Sequence, residues 1–159
     1  MSTLWLSAAL LLSRVAAPPA YKTYHNERFG FRIDYPAALR PQPEADSGDG
    51  RRFVSADGQT TLAAYASYSV LDGGLADYQR LARQHWQQQH ATLALDQKLA
   101  TGFVLSGQVK GHIFYEKTVL RAGTLTTFVW EYPVASKAAM DGIIRHTIST
   151  LQPSVAGSD

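Results

Sequence analysis

The stretch HIFYEKTVLRAGTLTTFVWEY, residues 112–132, decides the fold. Two runs rich in aromatic and β-branched residues, His112–Arg121 and Thr124–Tyr132, flank the link Ala122-Gly123. Such runs favour extended backbone, and a two-residue link ending in glycine supplies the positive φ that a tight hairpin needs. In the commonest register Tyr115 pairs with Trp130 and Lys117 with Phe128. Side chains alternate across a strand, so one face carries Tyr115, Lys117, Phe128, Trp130 and Tyr132. These five residues form a candidate ligand- or partner-binding face, with aromatic rings around a single cation. The same pattern also has a purely structural use. Cross-strand aromatic pairs stabilise sheets, and the Lys117 stem can snorkel to the sheet margin. A slip of one residue in register would reverse the faces.

Working outward, Ala94–Leu99 and Gly102–Val109 read as two more strands. Before them, Asp72-Gly-Gly74 opens a helix through about Gln89. Its residues Leu75, Tyr78, Leu81, Ala82, His85 and Trp86 recur at helical spacing as one buried stripe. Further upstream, Arg52–Ser55 and Thr60–Ser69 flank Ala56-Asp57-Gly58-Gln59, a hairpin signal. Phe29, Phe31, Ile33 and Tyr35 alternate as a half-buried strand that Pro36 ends. Residues 40–51 are rich in Pro, Gly and acid and read as a loop. Downstream, Met140, Ile143, Ile144, Thr147, Ile148 and Leu151 make an amphipathic helix with Ser136 as its N-cap, closed by Pro153. The order β-β-β-α-β-β-β-β-α with short turns gives an α+β class. The expected architecture is a central antiparallel sheet of about six or seven strands, sandwiched by the two amphipathic helices.

Residues 1–20, MSTLWLSAALLLSRVAAPPA, have the texture of a signal peptide: an apolar run from Leu4 to Leu12, then small residues and Pro. No Lys or Arg precedes Leu4. Cuts near Ala17 and near Ala20 are rivals, because Pro18 disfavours the first. The apolar run is shorter than the roughly 20 residues that span a bilayer, so no stable membrane anchor is expected. Residues 21–153 then form one domain and 154–159 a tail. The expected location is periplasmic or secreted.

Composition removes whole classes of chemistry. The chain has no cysteine, which excludes disulfides, thiolate metal sites, Cys nucleophiles and the lipid-modified Cys of a lipoprotein. A net charge of +2 with interspersed signs lacks the basic stripe of a nucleic-acid binder. The histidines, His25, His85, His90, His112 and His146, lack metal-ligand spacing; His85 reads as a core histidine on the helix stripe. No Gly-x-Ser-x-Gly elbow or phosphate-binding glycine loop is present. The acidic segment from Glu44 to Gly50 puts glycine where a calcium loop needs oxygen ligands. No cofactor, metal or catalytic set is expected, and the chain reads as a non-enzyme.

The strand punctuation resembles that of PsbP-like and DcrB-like proteins. The residues that carry the resemblance are Phe29-Gly-Phe31-x-Ile33-x-Tyr35-Pro36, Phe53-x-Ser55-x-Asp57-Gly58, Gly111-x-Ile113-x-Tyr115-x-Lys117, and Phe128-x-x-x-Tyr132-Pro133 before the last helix. They span about Tyr24 to Gln152. The resemblance implies a sheet sandwiched between helices, acting as a binding or accessory module without catalysis. DcrB-type envelope members are often lipoproteins, and this chain departs from them in lacking the cysteine. The functional expectation is an exported binding module for a protein partner or a small apolar ligand. An immunity or inhibitor protein against an exported toxin is the alternative, and an enzyme with a dispersed site is the third reading.

Overall fold

The computed structural model describes residues 17–154. Most of the expected leader, and residues 155–159 of the expected tail, lie outside them. Nine strands and two helices follow in order: β1 (Tyr21–His25), β2 (Arg32–Pro36), β3 (Arg40–Pro41), β4 (Gly50–Val54), β5 (Thr61–Tyr68), α1 (Leu75–Gln88), β6 (Thr92–Leu99), β7 (Gly102–Val109), β8 (His112–Arg121), β9 (Thr124–Pro133) and α2 (Lys137–Thr150). A short 3-10 turn, Val134–Ser136, leads into α2. Seven strands make one antiparallel sheet in the order β3-β4-β5-β9-β8-β7-β6. β1 and β2 form a separate antiparallel pair.

The hairpin β8–β9 is the centre of the large sheet, and its register sets Tyr115 opposite Trp130 and Lys117 opposite Phe128. Both turn residues, Ala122 (φ 48) and Gly123 (φ 75), have the positive φ that a type I′ turn demands. The preceding turn repeats the device with Lys110 (φ 48) and Gly111 (φ 79). Consecutive two-residue turns therefore fix β7, β8 and β9 in one register and decide which side chains share a face.

Alternation divides the core in two. One face of β5, β8 and β9 contributes Leu62, Ala64, Ile113, Phe128, Trp130 and Tyr132 to a cluster that includes Phe31, Ile33 and Tyr35 of the small sheet and Met140 and Ile144 of α2. The other face contributes Phe103, Leu105, Val109 and Phe114, packed with Trp86 of α1. The Trp86 ring stacks on Phe114 with centroids 3.7 Å apart.

The expected architecture is corrected in its details. The strand at Phe29–Tyr35 pairs with β1 rather than joining the large sheet. Consequently α2 packs chiefly along β2, with a smaller contact to β9, and much of the layer over that face is the small sheet. Ser136 stands at the N-cap position of α2 but makes no side-chain capping bond. His90 lies beyond α1, and with φ 63 it has left the helix.

Polar ties hold the small sheet in place. Asn26 is fully buried; it donates to Gly48 O and Tyr24 Oη and accepts from Phe29 N. Tyr24 donates to Glu44 Oε1 at 2.5 Å. Burial, ahead of the Glu44 contact, pushes the Tyr24 phenol up to about 12. The acidic turn before β4 thus clamps the end of β1 and the turn that follows it. At the same end of the small sheet, Gln152 and Arg32 exchange backbone bonds of 2.9 and 3.0 Å. Ser154 is buried against Thr126, so the packing continues one residue past the expected domain end.

Candidate functional site

The five residues of the aromatic hairpin face do lie together, but not as an open surface. Phe128 and Trp130 are fully buried and Tyr132 nearly so; all three belong to the cluster shared with the small sheet and α2. Tyr115 is half-buried against the same cluster. Lys117 is half-buried, and loss of water lowers its ammonium from the ordinary lysine value. A ligand could reach Phe128, Trp130 or Tyr132 only by opening the core. The Trp130 indole N–H is itself buried without a hydrogen-bond partner among the described residues, a cost of about 1–3 kcal/mol for such a group.

A concave feature lies on the opposite face. α1 covers β6 and β7, leaving the same face of β5 and β9 beside it uncovered by a helix. Between the helix and the strands is a cavity of about 480 Å³. Its wall is Tyr78, Leu81, Ala82, His85 and Trp86 of α1, and its floor includes Tyr65, Glu116, Thr118, Thr127 and Val129. Arg52 of β4 and Glu131 of β9 also line it. This volume falls within the usual range of small-molecule sites, about 300–1,000 Å³.

The register explains the floor. Ala63 opposes Val129, Tyr65 opposes Thr127, and Thr118 opposes Thr127 on the next strand. Small and hydroxyl side chains thus occupy positions that on the other face hold Phe128 and Trp130. Thr118 Oγ1 and Thr127 Oγ1 bond each other at 2.8 Å.

Glu116 is the group that stands out. It sits mid-strand on β8 with only 7% of its surface exposed. Trp86 Nε1 donates to its Oε2 at 2.6 Å. Burial raises the carboxyl above its ordinary range; the Trp86 N–H and the nearby His85 pull it partly back. Tyr65 keeps 41% of its surface exposed. Even so, its phenol is raised, first by burial and then by the Glu116 carboxylate. Along the middle of α1, Arg83 Nε meets Asp96 Oδ2 at 2.5 Å and Gln79 Nε2 donates to Asp96 Oδ1 at 2.7 Å. These bonds, Arg83 first, hold the Asp96 carboxyl below its ordinary value and pin the helix to β6.

His85 is exposed on the groove wall and shares a 2.7 Å bond with Gln89; it is not a core histidine. Leu81, expected in the buried stripe, is 44% exposed. Both depart from expectation because α1 covers only part of the sheet, so one side of its stripe faces the groove. His146, on α2, bonds Asp34 Oδ2 at 3.0 Å and stacks on Tyr21. Among the described residues no cluster of three His, Cys, Asp or Glu side chains could hold a metal. No described helix is long and apolar enough to cross a membrane.

A seven-stranded antiparallel sheet with a two-stranded satellite and two helices defines an α+β fold of the PsbP-like type. The solution structure of cyanobacterial PsbP (CyanoP) from Synechocystis sp. PCC 6803 superposes with a TM-score of 0.64 and 13% sequence identity, covering 92% of this chain and 97% of that one. A crystal structure from Bacteroides thetaiotaomicron VPI-5482 has a TM-score of 0.44 and 16% identity over 80% of this chain and 46% of that one; no argument rests on it. No family model matches the chain, and no curated sequence matches it. At such identities the likeness establishes the fold alone.

Proposed function

We propose that this protein is an exported, non-enzymatic binding module whose ligand site is the groove between α1 and the floor formed by β5, β8 and β9. The observation that carries the reading is the cavity of about 480 Å³, floored by a buried carboxylate and hydroxyls where the opposite face is packed with aromatic rings. Binding rather than catalysis is favoured by the pairing of its polar groups. The floor hydroxyls bond each other and His85 bonds Gln89, so neither set forms a nucleophile–base pair. Export rests on the texture of residues 1–20. Neutralising an exported toxin would be one form of this role, and no observation favours it.

The test is purification of the tagged, exported protein with identification of whatever accompanies it, beside an Ala82→Trp variant whose indole would fill the groove. The occupant should be lost from the variant while its circular dichroism stays unchanged. An occupant retained by a folded Ala82→Trp would sink the groove reading. An intact Met1 in the mature protein would sink export.

A further inference from the structure

We propose that the inner end of the groove is a site for an organic ammonium group, carried by a small ligand whose apolar body lies along α1. This rests on the groove being the binding site and goes further by naming what it binds. Glu116 carries the argument. It is more than nine-tenths buried yet lines the cavity, and among the described residues its side-chain donor is Trp86 alone. An ionised carboxylate offers about four acceptor positions. With little solvent exposure, leaving most of them without protein donors is costly unless a partner supplies both donors and charge. An ammonium supplies both.

The surroundings agree with that choice. Charged and titratable groups face the cavity from each neighbouring element: His85 and Tyr78 from α1, Tyr65 from β5, Glu131 from β9 and Arg52 from β4. Two carboxylates thus stand against one guanidinium, and Arg52 is exposed on β4 rather than buried beside Glu116. Tyr65, Tyr78 and Trp86 provide aromatic walls, which attract a cation through their ring quadrupoles. Leu81, Ala82 and Val129 supply the apolar strip for the rest of the molecule, and the exposed Leu81 then has a covering partner.

The experiment uses three probes of one shape: phenethylammonium, phenethyl alcohol and phenylacetate. Each is titrated to about 10 mM, a range that captures weak fragments, into the 15N-labelled full domain, and amide shifts are followed by NMR. Phenethylammonium should move the amides of β8, β9 and α1 that surround the groove. The alcohol should bind about tenfold or more weakly, the loss expected when a charged hydrogen-bond partner becomes neutral, and phenylacetate weaker still. Glu116→Gln keeps an acceptor for Trp86 Nε1 and should erase the preference for the cation.

Equal shifts from the alcohol, or an unchanged cation preference in a folded Glu116→Gln, would overturn the ammonium proposal while leaving the groove a binding site. No groove shift from any of the three probes would overturn both readings. The wild-type series stands alone if Glu116→Gln does not fold.

Discussion

The two faces of the β8–β9 hairpin are made of the same strands and carry opposite contents. One presents Trp130 and Phe128, fully buried beneath the small sheet and α2. The other presents Glu116, Thr118, Thr127 and Val129, only partly roofed by α1. The first face closes the fold, and even leaves an indole N–H without a partner among the described residues. The second keeps a carboxylate and a cavity that a purely structural layer would have filled with hydrocarbon. The larger apolar cluster lies on one side of a single sheet, and the other side carries a smaller one beside a groove.

The largest effect should come from the closed face. Trp130→Ala removes a fully buried ring and should cost about 3–5 kcal/mol of unfolding free energy, read from a urea melt. A loss below about 1 kcal/mol would mean that the ring is not part of a packed core. Next comes the contact of α1 with the second face. Trp86→Phe keeps a ring against Phe114 but removes the donor to Glu116, and should cost about 1–3 kcal/mol. A variant as stable as wild type would show that the 2.6 Å bond contributes nothing to the fold.

Glu116 gives the contrast a pH signature. Its carboxyl is raised in the folded protein, chiefly by burial. The stability it contributes is therefore complete below the ordinary Glu value and is lost as pH rises through the raised folded value. Comparing urea melts of wild type and Glu116→Gln from about pH 4 to pH 8 isolates that component. The variant should gain on the wild type as pH rises. Parallel curves would mean that the group titrates alike in folded and unfolded chains.

The smallest effect belongs to Lys117. Its ammonium has no carboxylate within ion-pair distance among the described residues, so Lys117→Ala should change stability by no more than about 0.5 kcal/mol. A larger loss would make its stem part of the closed face.

The hairpin was legible because three signals agreed at one place: alternation, β-branched and aromatic content, and Ala122-Gly123. The pairs Tyr115–Trp130 and Lys117–Phe128 followed from them directly. β1 and β3 were not legible. Tyr21–His25 buries only Tyr24, and Arg40–Pro41 is two residues long, so neither shows a period. Without β1 the strand at Phe29–Tyr35 has no partner visible in the sequence and reads as part of the central sheet. The groove was harder still, since its lining comes from β4, β5, β7, β8, β9 and α1 and no local window contains it. One signal was present in the sequence: Glu116, Thr118 and Thr127 on the alternate positions of two strands whose neighbours make them central. A carboxylate in the middle of a central strand needs a reason, and aromatic content on the other face drew attention away from it.

The backbone exchange between Arg32 and Gln152, beside the pairing of β1 with β2, gives the module a handle. Both the start of β1 and the last paired residue after α2 leave from the small sheet, on the side of the large sheet away from the groove. The start of β1 and Ser154, which packs on Thr126, therefore both lie on the back of the module. One side of the large sheet thus gathers both ends of the packed chain, and the other carries the groove with neither of them in its way.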